Sequence, residues 1–244
     1  MVRSRFSPES GDDMYEDGGY LEHNPTWHTE NSAWKAQQVA GILKKNGLSP
    51  ATIHEVGCGA GEVLLTLMQS FPEARGTGFD VSPQAIALCK PKETSRVTFK
   101  LGDLLQLRAR AELLLVIDVI EHVEDYIGFS RALGDLADHV VFHIPLDLSA
   151  QALLRGYTFS AARREIGHLH YFTKDTALDT LRDAGYDVVD WSYTYTQSES
   201  PGRSLKVRLA DIPRRITRFF ARDLAIRALG GCSVVVLCRR KASR

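Results

Sequence analysis

The segment Ile53-His54-Glu55-Val56-Gly57-Cys58-Gly59-Ala60-Gly61-Glu62 constrains this chain more than any other. A strand-like run enters a turn with glycine at every second position, and a helical run from Glu62 to Met68 leaves it. Glycines in such a turn permit positive φ and let backbone approach a ligand closely. The helix that follows offers N–H groups without intrahelical partners to a polar or anionic ligand. Spacing narrows the ligand further. A dinucleotide fingerprint places glycine at the first, third and sixth positions, whereas here the glycines stand at 57, 59 and 61 and the sixth position is Glu62. Glu55, two residues before the first glycine, would repel a pyrophosphate and attract an ammonium or sulfonium.

Around this turn, strand and helix patterns alternate. A helix is expected from Asn31 to Lys45, with an Asn or Ser cap and Gly47 ending it. Further elements are expected at 51–56, 61–70, 76–80, 83–90, 96–101, 113–117, 124–138 and 139–144. The runs Leu113–Ile117 and Val140–Ile144 lack the alternation of a half-wet sheet, as strands covered on both faces do. Such a series implies an α/β doubly wound, Rossmann-like sheet. Residues 146–166 break the rhythm as an insertion; a helix Thr173–Ala184, a strand Val188–Tyr195 and a strand Cys232–Cys238 then resume it.

The Glu-x-Gly-x-Gly-x-Gly loop resembles the first motif of class I S-adenosylmethionine (SAM) methyltransferases, and three later segments keep the match in order. Arg75-Gly-Thr-Gly-Phe79-Asp80 resembles the second strand with the acidic residue that holds both ribose hydroxyls; two hydroxyl donors need two acceptor oxygens. Val97–Leu104, with Asp103, resembles the third strand and its adenine-contacting turn. Leu113–Val123 resembles the fourth strand with an Asp118-Val-Ile-Glu121-His122 exit. Within that family the chain resembles the small-molecule, ubiquinone-pathway group. The resemblance covers about residues 15–195 and 230–241. It implies a seven-stranded sheet with an antiparallel last strand, SAM as cofactor and S-adenosylhomocysteine as product.

The cofactor set carried over is Glu55, Gly57, Cys58, Gly59, Gly61, Asp80, Val81, Asp103, Leu104 and Asp118, with Tyr20 and Trp27 as an aromatic lid. The implied organisation is an N-terminal arm and lid helix over 1–47 and a SAM-binding domain over 48–244. That domain carries the insertion 146–166 and a basic amphipathic segment 203–229.

Methyl transfer to a hydroxyl needs alignment and removal of a proton. His143 is the first candidate base and His122 the second, with Glu121 beside it. Gly167-His168-Leu-His170-Tyr171-Phe-Thr173 resembles the segment bordering the acceptor pocket, making His168, His170 and Tyr171 candidate substrate contacts. Asp118, Glu121 and His122 also resemble a divalent-metal site of small-RNA 2′-O-methyltransferases and ubiquinone-pathway O-methyltransferases. The signatures of DNA adenine and cytosine C5 methyltransferases are absent: no Asn/Asp-Pro-Pro-Tyr/Phe follows the fourth strand, and no cysteine lies between 90 and 231. The expected function is methylation of a small molecule, at oxygen rather than nitrogen, on a natural-product, quinone or saccharide intermediate. The alternatives are a metal-assisted RNA 2′-O-methyltransferase and a non-catalytic SAM-binding scaffold.

Composition adds partners and compartment. Formal charge is zero, which favours no polyanion in bulk. Segment 203–229 nevertheless holds eight Lys and Arg against Asp211 and Asp223, a local +6. Its apolar residues recur at helical spacing, which suits packing on the sheet, self-association as a homodimer, or an anionic partner. Four cysteines without a C-x-x-C pair, no leader-like start and no membrane-length apolar run point to the cytoplasm.

Overall fold

The computed structural model describes residues 29–195, 219 and 221–241. The strands are β1 (Thr52–Val56), β2 (Arg75–Asp80), β3 (Val97–Leu101), β4 (Ala111–Ile117), β5 (Ala137–Pro145), β6 (Tyr186–Thr194) and β7 (Ser233–Arg240). The helices are α1 (Ser32–Lys45), α2 (Glu62–Ser70), α3 (Pro83–Cys89), α4 (Leu104–Leu107), α5 (Tyr126–Leu133), α6 (Ala150–Arg155), α7 (Thr158–Ile166), α8 (Lys174–Asp183) and α9 (Arg222–Leu229). The sheet order is β3-β2-β1-β4-β5-β7-β6. β1 to β5 pair in parallel, and β7 runs antiparallel between β5 and β6. This is the seven-stranded arrangement expected from the motifs.

Strand parity divides the core. Leu113, Leu115 and Ile117 of β4 join a cluster with Val39 and Leu43 of α1 and Leu64 and Leu67 of α2. Leu114 and Val116 point the other way, into a cluster with Leu133 of α5, Leu178 and Leu181 of α8 and Ile226 of α9. A strand covered on both faces loses any reason to alternate polar and apolar residues, which is why the leucine run reads as continuous.

Parity also aims His143. Its neighbours Phe142 and Ile144 belong to the α5/α8/α9 core, so His143 projects toward α1, where the Trp34 ring meets it edge-on at a centroid distance of 6.0 Å.

Several boundaries differ from the sequence expectation. The helix expected over 124–138 occupies only Tyr126–Leu133. Asp125 caps its start by accepting the Gly128 N–H at 2.9 Å, and the chain turns after Leu133 to enter β5 at Ala137. Asn31 precedes α1 without a side-chain capping bond. The insertion folds as α6 and α7, α6 starting from Ser149, whose hydroxyl accepts the Ala152 N–H. Among the described residues no helix is long and apolar enough to cross a membrane.

Candidate active site

Parallel pairing brings the carboxyl ends of β1, β2, β4 and β5 to one edge, and three groups of side chains gather there. The first is the glycine turn. Gly57 and Gly61 have φ of +66° and +79°. A Cβ on Gly57 would meet Val119 Cγ2 at 2.8 Å, and one on Gly61 would meet the Phe99 ring at 2.5 Å. Glycine is therefore required twice over, by conformation and by space. Asp80 ties the turn to β2: its carboxylate accepts the Gly59 N–H at 2.8 Å and the Ser82 N–H at 2.9 Å. Lys92 holds the far side through the Ala60 carbonyl at 2.9 Å and the Glu62 carboxylate at 2.6 Å.

Around the turn, Cys58 and Leu104 are buried and Val81 is exposed. Asp103 caps α4 by accepting the Leu105 N–H at 2.8 Å. Glu55 is buried with Oε2 unpartnered. Burial pushes its carboxyl up to about 8, against the opposing pull of the Leu64 N–H and the Lys35 charge.

The second group is a chain of contacts across the sheet edge. Lys35 Nζ of α1 lies 2.6 Å from Asp118, whose other oxygen lies 2.5 Å from His143 Nδ1. His143 Nε2 lies 3.0 Å from the Thr194 hydroxyl. A carboxylate only accepts, so Nδ1 carries a proton. Both ring nitrogens of the buried His143 are thus engaged. Burial opposes ionisation of Asp118, but Lys35 and His143 outweigh it and hold the carboxyl far below its usual range. For Lys35 the Asp118 charge likewise overcomes burial, which alone would lower the ammonium, and raises it. Asp118 itself sits at φ +54°, a left-handed conformation that Asp tolerates better than most residues.

The third group surrounds Glu121. This residue has no exposed surface, and neither carboxylate oxygen has a protein partner. Burial first, and then the Asp118 charge, raise its carboxyl well above the ordinary value. The Glu121 carbonyl accepts the Leu169 and His170 N–H groups at 2.7 and 3.1 Å, pinning the loop after α7 against the β4 exit. His168 is thereby set beside His122, with ring centroids 4.9 Å apart. Donor atoms of Glu121, His122 and His168 lie within 4.8 Å of one another. His122 Nδ1 faces the Gly167 carbonyl at 3.1 Å, and His168 Nδ1 faces Asp147 at 2.9 Å. Both partners only accept, so each Nδ1 carries a proton. His170 Nε2 donates away, to the Val123 carbonyl at 3.0 Å, and Tyr171 Oη lies 2.7 Å from the Phe159 carbonyl.

The structure thus separates residues that the sequence lists together. His122 and Glu121 share a cluster with His168, whereas His143 and Asp118 belong to the Lys35 chain. Tyr20 and Trp27 lie outside the described residues. Sequence reasoning missed Lys35, Lys92, Asp147 and Thr194. Asp147 alone left a trace, as an acid just past the β5 tip.

Comparison with known proteins decides the family. Residues 27–190 match the family described as "Methyltransferase domain". The chain is a member of that family. Its fold matches a structure of the complex between the Haloferax volcanii Trm112 methyltransferase activator and a methyltransferase. The TM-score is 0.63 and identity 14%, over 93% of this chain and 96% of the other. It also matches the N-methyltransferase NodS of Bradyrhizobium japonicum WM9 in complex with S-adenosyl-L-homocysteine. There the TM-score is 0.53 and identity 18%, over 85% of this chain and 86% of NodS. At these identities the likeness is one of fold. A trans-aconitate 2-methyltransferase from Deinococcus radiodurans is 29% identical over 90 residues, 37% of this chain. The aligned stretch spans about a third, 34%, of that relative's length. The domain that residues 27–190 form is thus a methyltransferase domain.

Glu55 gives this methyltransferase a readable pH signature. Folded, the carboxyl keeps its proton to about pH 8; its ordinary value is 4.5. Between those values the folded state holds a proton that the unfolded state has released. Stability therefore falls as pH rises through this window, by about 1.4 kcal/mol per unit for one such group. Glu121 adds a fall of the same sign. Glu55→Gln is expected to shallow the decline of melting temperature with pH below about 8, measured without cofactor. A slope identical to wild type would mean that Glu55 is ionised in the folded protein.

Proposed function

We propose that this methyltransferase methylates a hydroxyl oxygen of a small-molecule acceptor, such as a natural-product, quinone or saccharide intermediate, with His168 as the general base. One observation carries the reading: the Asp147 carboxylate holds His168 by Nδ1, leaving Nε2 as the nitrogen for proton transfer, and His168 shares a cluster with the buried, unpartnered Glu121. A histidine oriented by a carboxylate is suited to deprotonating a hydroxyl near neutral pH. His143 is the poorer candidate because Asp118 and Thr194 already occupy its two nitrogens. Its role in this reading is to position Asp118 and, through Lys35, the N-terminal helix.

SAM supplies an activated methyl group on a sulfonium centre. The residues that would hold it fit the demand. The glycine turn leaves backbone exposed where a Cβ would clash, the Asp80 carboxylate stands at the β2 exit, and Glu55 keeps an unpartnered oxygen for a cationic group. Val81, Asp103, Leu104 and the backbone around Cys58 complete this proposed set, and Asp118 with Lys35 forms its floor.

The reading is tested by supplying labelled SAM with panels of matched hydroxyl and amine acceptors. O-methyl products are expected, and formation of N-methyl products alone would overturn it.

The clustered donor atoms of Glu121, His122 and His168 also support a second reading, in which these three residues hold a divalent cation. Two imidazoles and one carboxylate suit a zinc- or manganese-like ion better than Mg²⁺. Such an ion would act as a Lewis acid toward the acceptor oxygen. Metal-dependent melting temperature that disappears in Glu121→Gln would favour this reading. Identical melting with EDTA and with added Zn²⁺, Mn²⁺ or Mg²⁺ would retire it.

A further inference from the structure

The five most exposed large apolar side chains among the described residues are Leu153, Leu154, Tyr157, Phe219 and Leu224, each between 60% and 89% exposed. They are not scattered. Three lie on the insertion after β5 and two on the basic segment before β7, and these regions pack together through α6 and α9. The insertion is unusual in a second way: α7 has no buried residue along its length. Its hold on the rest of the protein includes the Phe159 ring, which packs on Tyr171 at a centroid distance of 4.5 Å.

Charge accompanies the apolar residues. Arg155, Arg163 and Arg164 are exposed on the insertion, where Asp147 and Glu165 are the acids of residues 146–166. Asp147 is turned inward to His168. On the adjoining α9, Arg222 and Arg227 are exposed.

Exposed leucines and a tyrosine interleaved with arginines match the chemistry of one kind of surface. At a bilayer interface, apolar ends enter the headgroup–acyl boundary, aromatic rings sit at headgroup depth, and arginines reach phosphate. Basic residues near an anionic leaflet add an attraction that salt screens. A second copy fits less well: a two-fold contact sets one patch against itself, and would face these arginines with arginines. Nucleic acid would satisfy the arginines and leave the leucines wet.

We infer that this face docks on anionic phospholipid membranes, with Leu153, Leu154, Tyr157 and Leu224 entering the interface and Arg155, Arg163 and Arg164 engaging lipid phosphates. The loop carrying His168 follows α7 directly, so docking sets the Glu121 cluster beside the lipid phase. An acceptor with an apolar tail then reaches it without crossing water.

Flotation of the whole chain with vesicles tests this. Vesicles of phosphatidylcholine containing phosphatidylglycerol are expected to carry the protein, phosphatidylcholine alone to carry little, and added salt to weaken the capture. Leu153→Asp combined with Leu154→Asp should lower partitioning about tenfold or more, since each exposed leucine contributes more than 1 kcal/mol when buried. Melting temperature and SAM binding should remain at wild-type values in that variant. Arg163→Gln with Arg164→Gln should weaken binding and flatten its salt dependence. Protein that stays unbound to both kinds of vesicle overturns the inference, and so does a leucine double variant that floats like wild type. If the leucine changes instead convert a dimer to a monomer in sedimentation and leave vesicle binding unaltered, the face belongs to a second copy and the membrane assignment fails.

Discussion

Asp80→Ala is expected to weaken SAM and S-adenosylhomocysteine binding by about a hundredfold or more, close to 3 kcal/mol. The carboxylate accepts two backbone N–H groups, one on the glycine turn and one at the start of α3. Bonds of this charge-assisted kind contribute about 1.5–3 kcal/mol each. Alanine would leave both donors without an acceptor in a site where Asp80 itself is almost fully buried, and would free Gly59 to wander. It would also remove the paired oxygens that suit adjacent ribose hydroxyls. Asp80→Asn, which retains one acceptor oxygen, should fall between alanine and wild type. Calorimetric titration with both ligands measures this. Wild-type affinity in Asp80→Ala would sink the cofactor assignment. Should that variant melt below the assay temperature, Asp80→Asn decides.

The second large effect concerns turnover. His168→Ala is expected to lower kcat by about 10²–10⁴-fold, the usual worth of a positioned general base, while SAM affinity changes little. The separation follows from anchorage: His168 is held by Asp147 and the loop after α7, whereas the glycine turn is held by Asp80 and Lys92. Asp147→Asn should reduce kcat less and move the alkaline and acid limbs of the pH–rate profile, because an amide no longer enforces the Nδ1–H tautomer. His143→Ala should act differently, through melting temperature and the seating of α1, because it removes one end of the Lys35–Asp118–His143–Thr194 chain. The base assignment fails if His168→Ala turns over a hydroxyl acceptor at the wild-type rate.

The sheet was legible because its strands are buried on both faces. Leu113–Ile117 and Val140–Ile144 read as continuous runs, and the glycine turn marked where the first of the parallel strands ended. Strand ends were harder to read. β4 begins at Ala111 and β5 at Ala137, both ahead of the expected starts, since pairing with a neighbour extends a strand into residues whose own composition is neutral.

The side-chain groupings were least legible of all. His143 and His122 each stand near a strand exit in the sequence, and nothing local distinguishes them. Parity along β5 turns one toward α1, and the Glu121 carbonyl draws the 167–171 loop onto the other. Lys35 and Thr194 meet at His143 from distant parts of the chain, and Asp147 finds His168 across the insertion. Contacts of that kind are properties of packing, with no periodicity to announce them.

The placement of β7 has a consequence for how a ribosome delivers this protein. β5 and β6 are synthesised well before Ser233–Arg240, yet they touch no common ladder except through that strand. Until the last strand emerges, β5 offers a bare edge on one side and β6 has nothing to pair with. Unpaired edges of valine-rich sheet are templates for wrong partners. The His143–Thr194 contact must also wait, because its two halves are held in place by the strand between them. Translation that stops short of residue 233 should therefore yield an insoluble product rather than a weakened enzyme, and the closing strand acts as the release step of biogenesis.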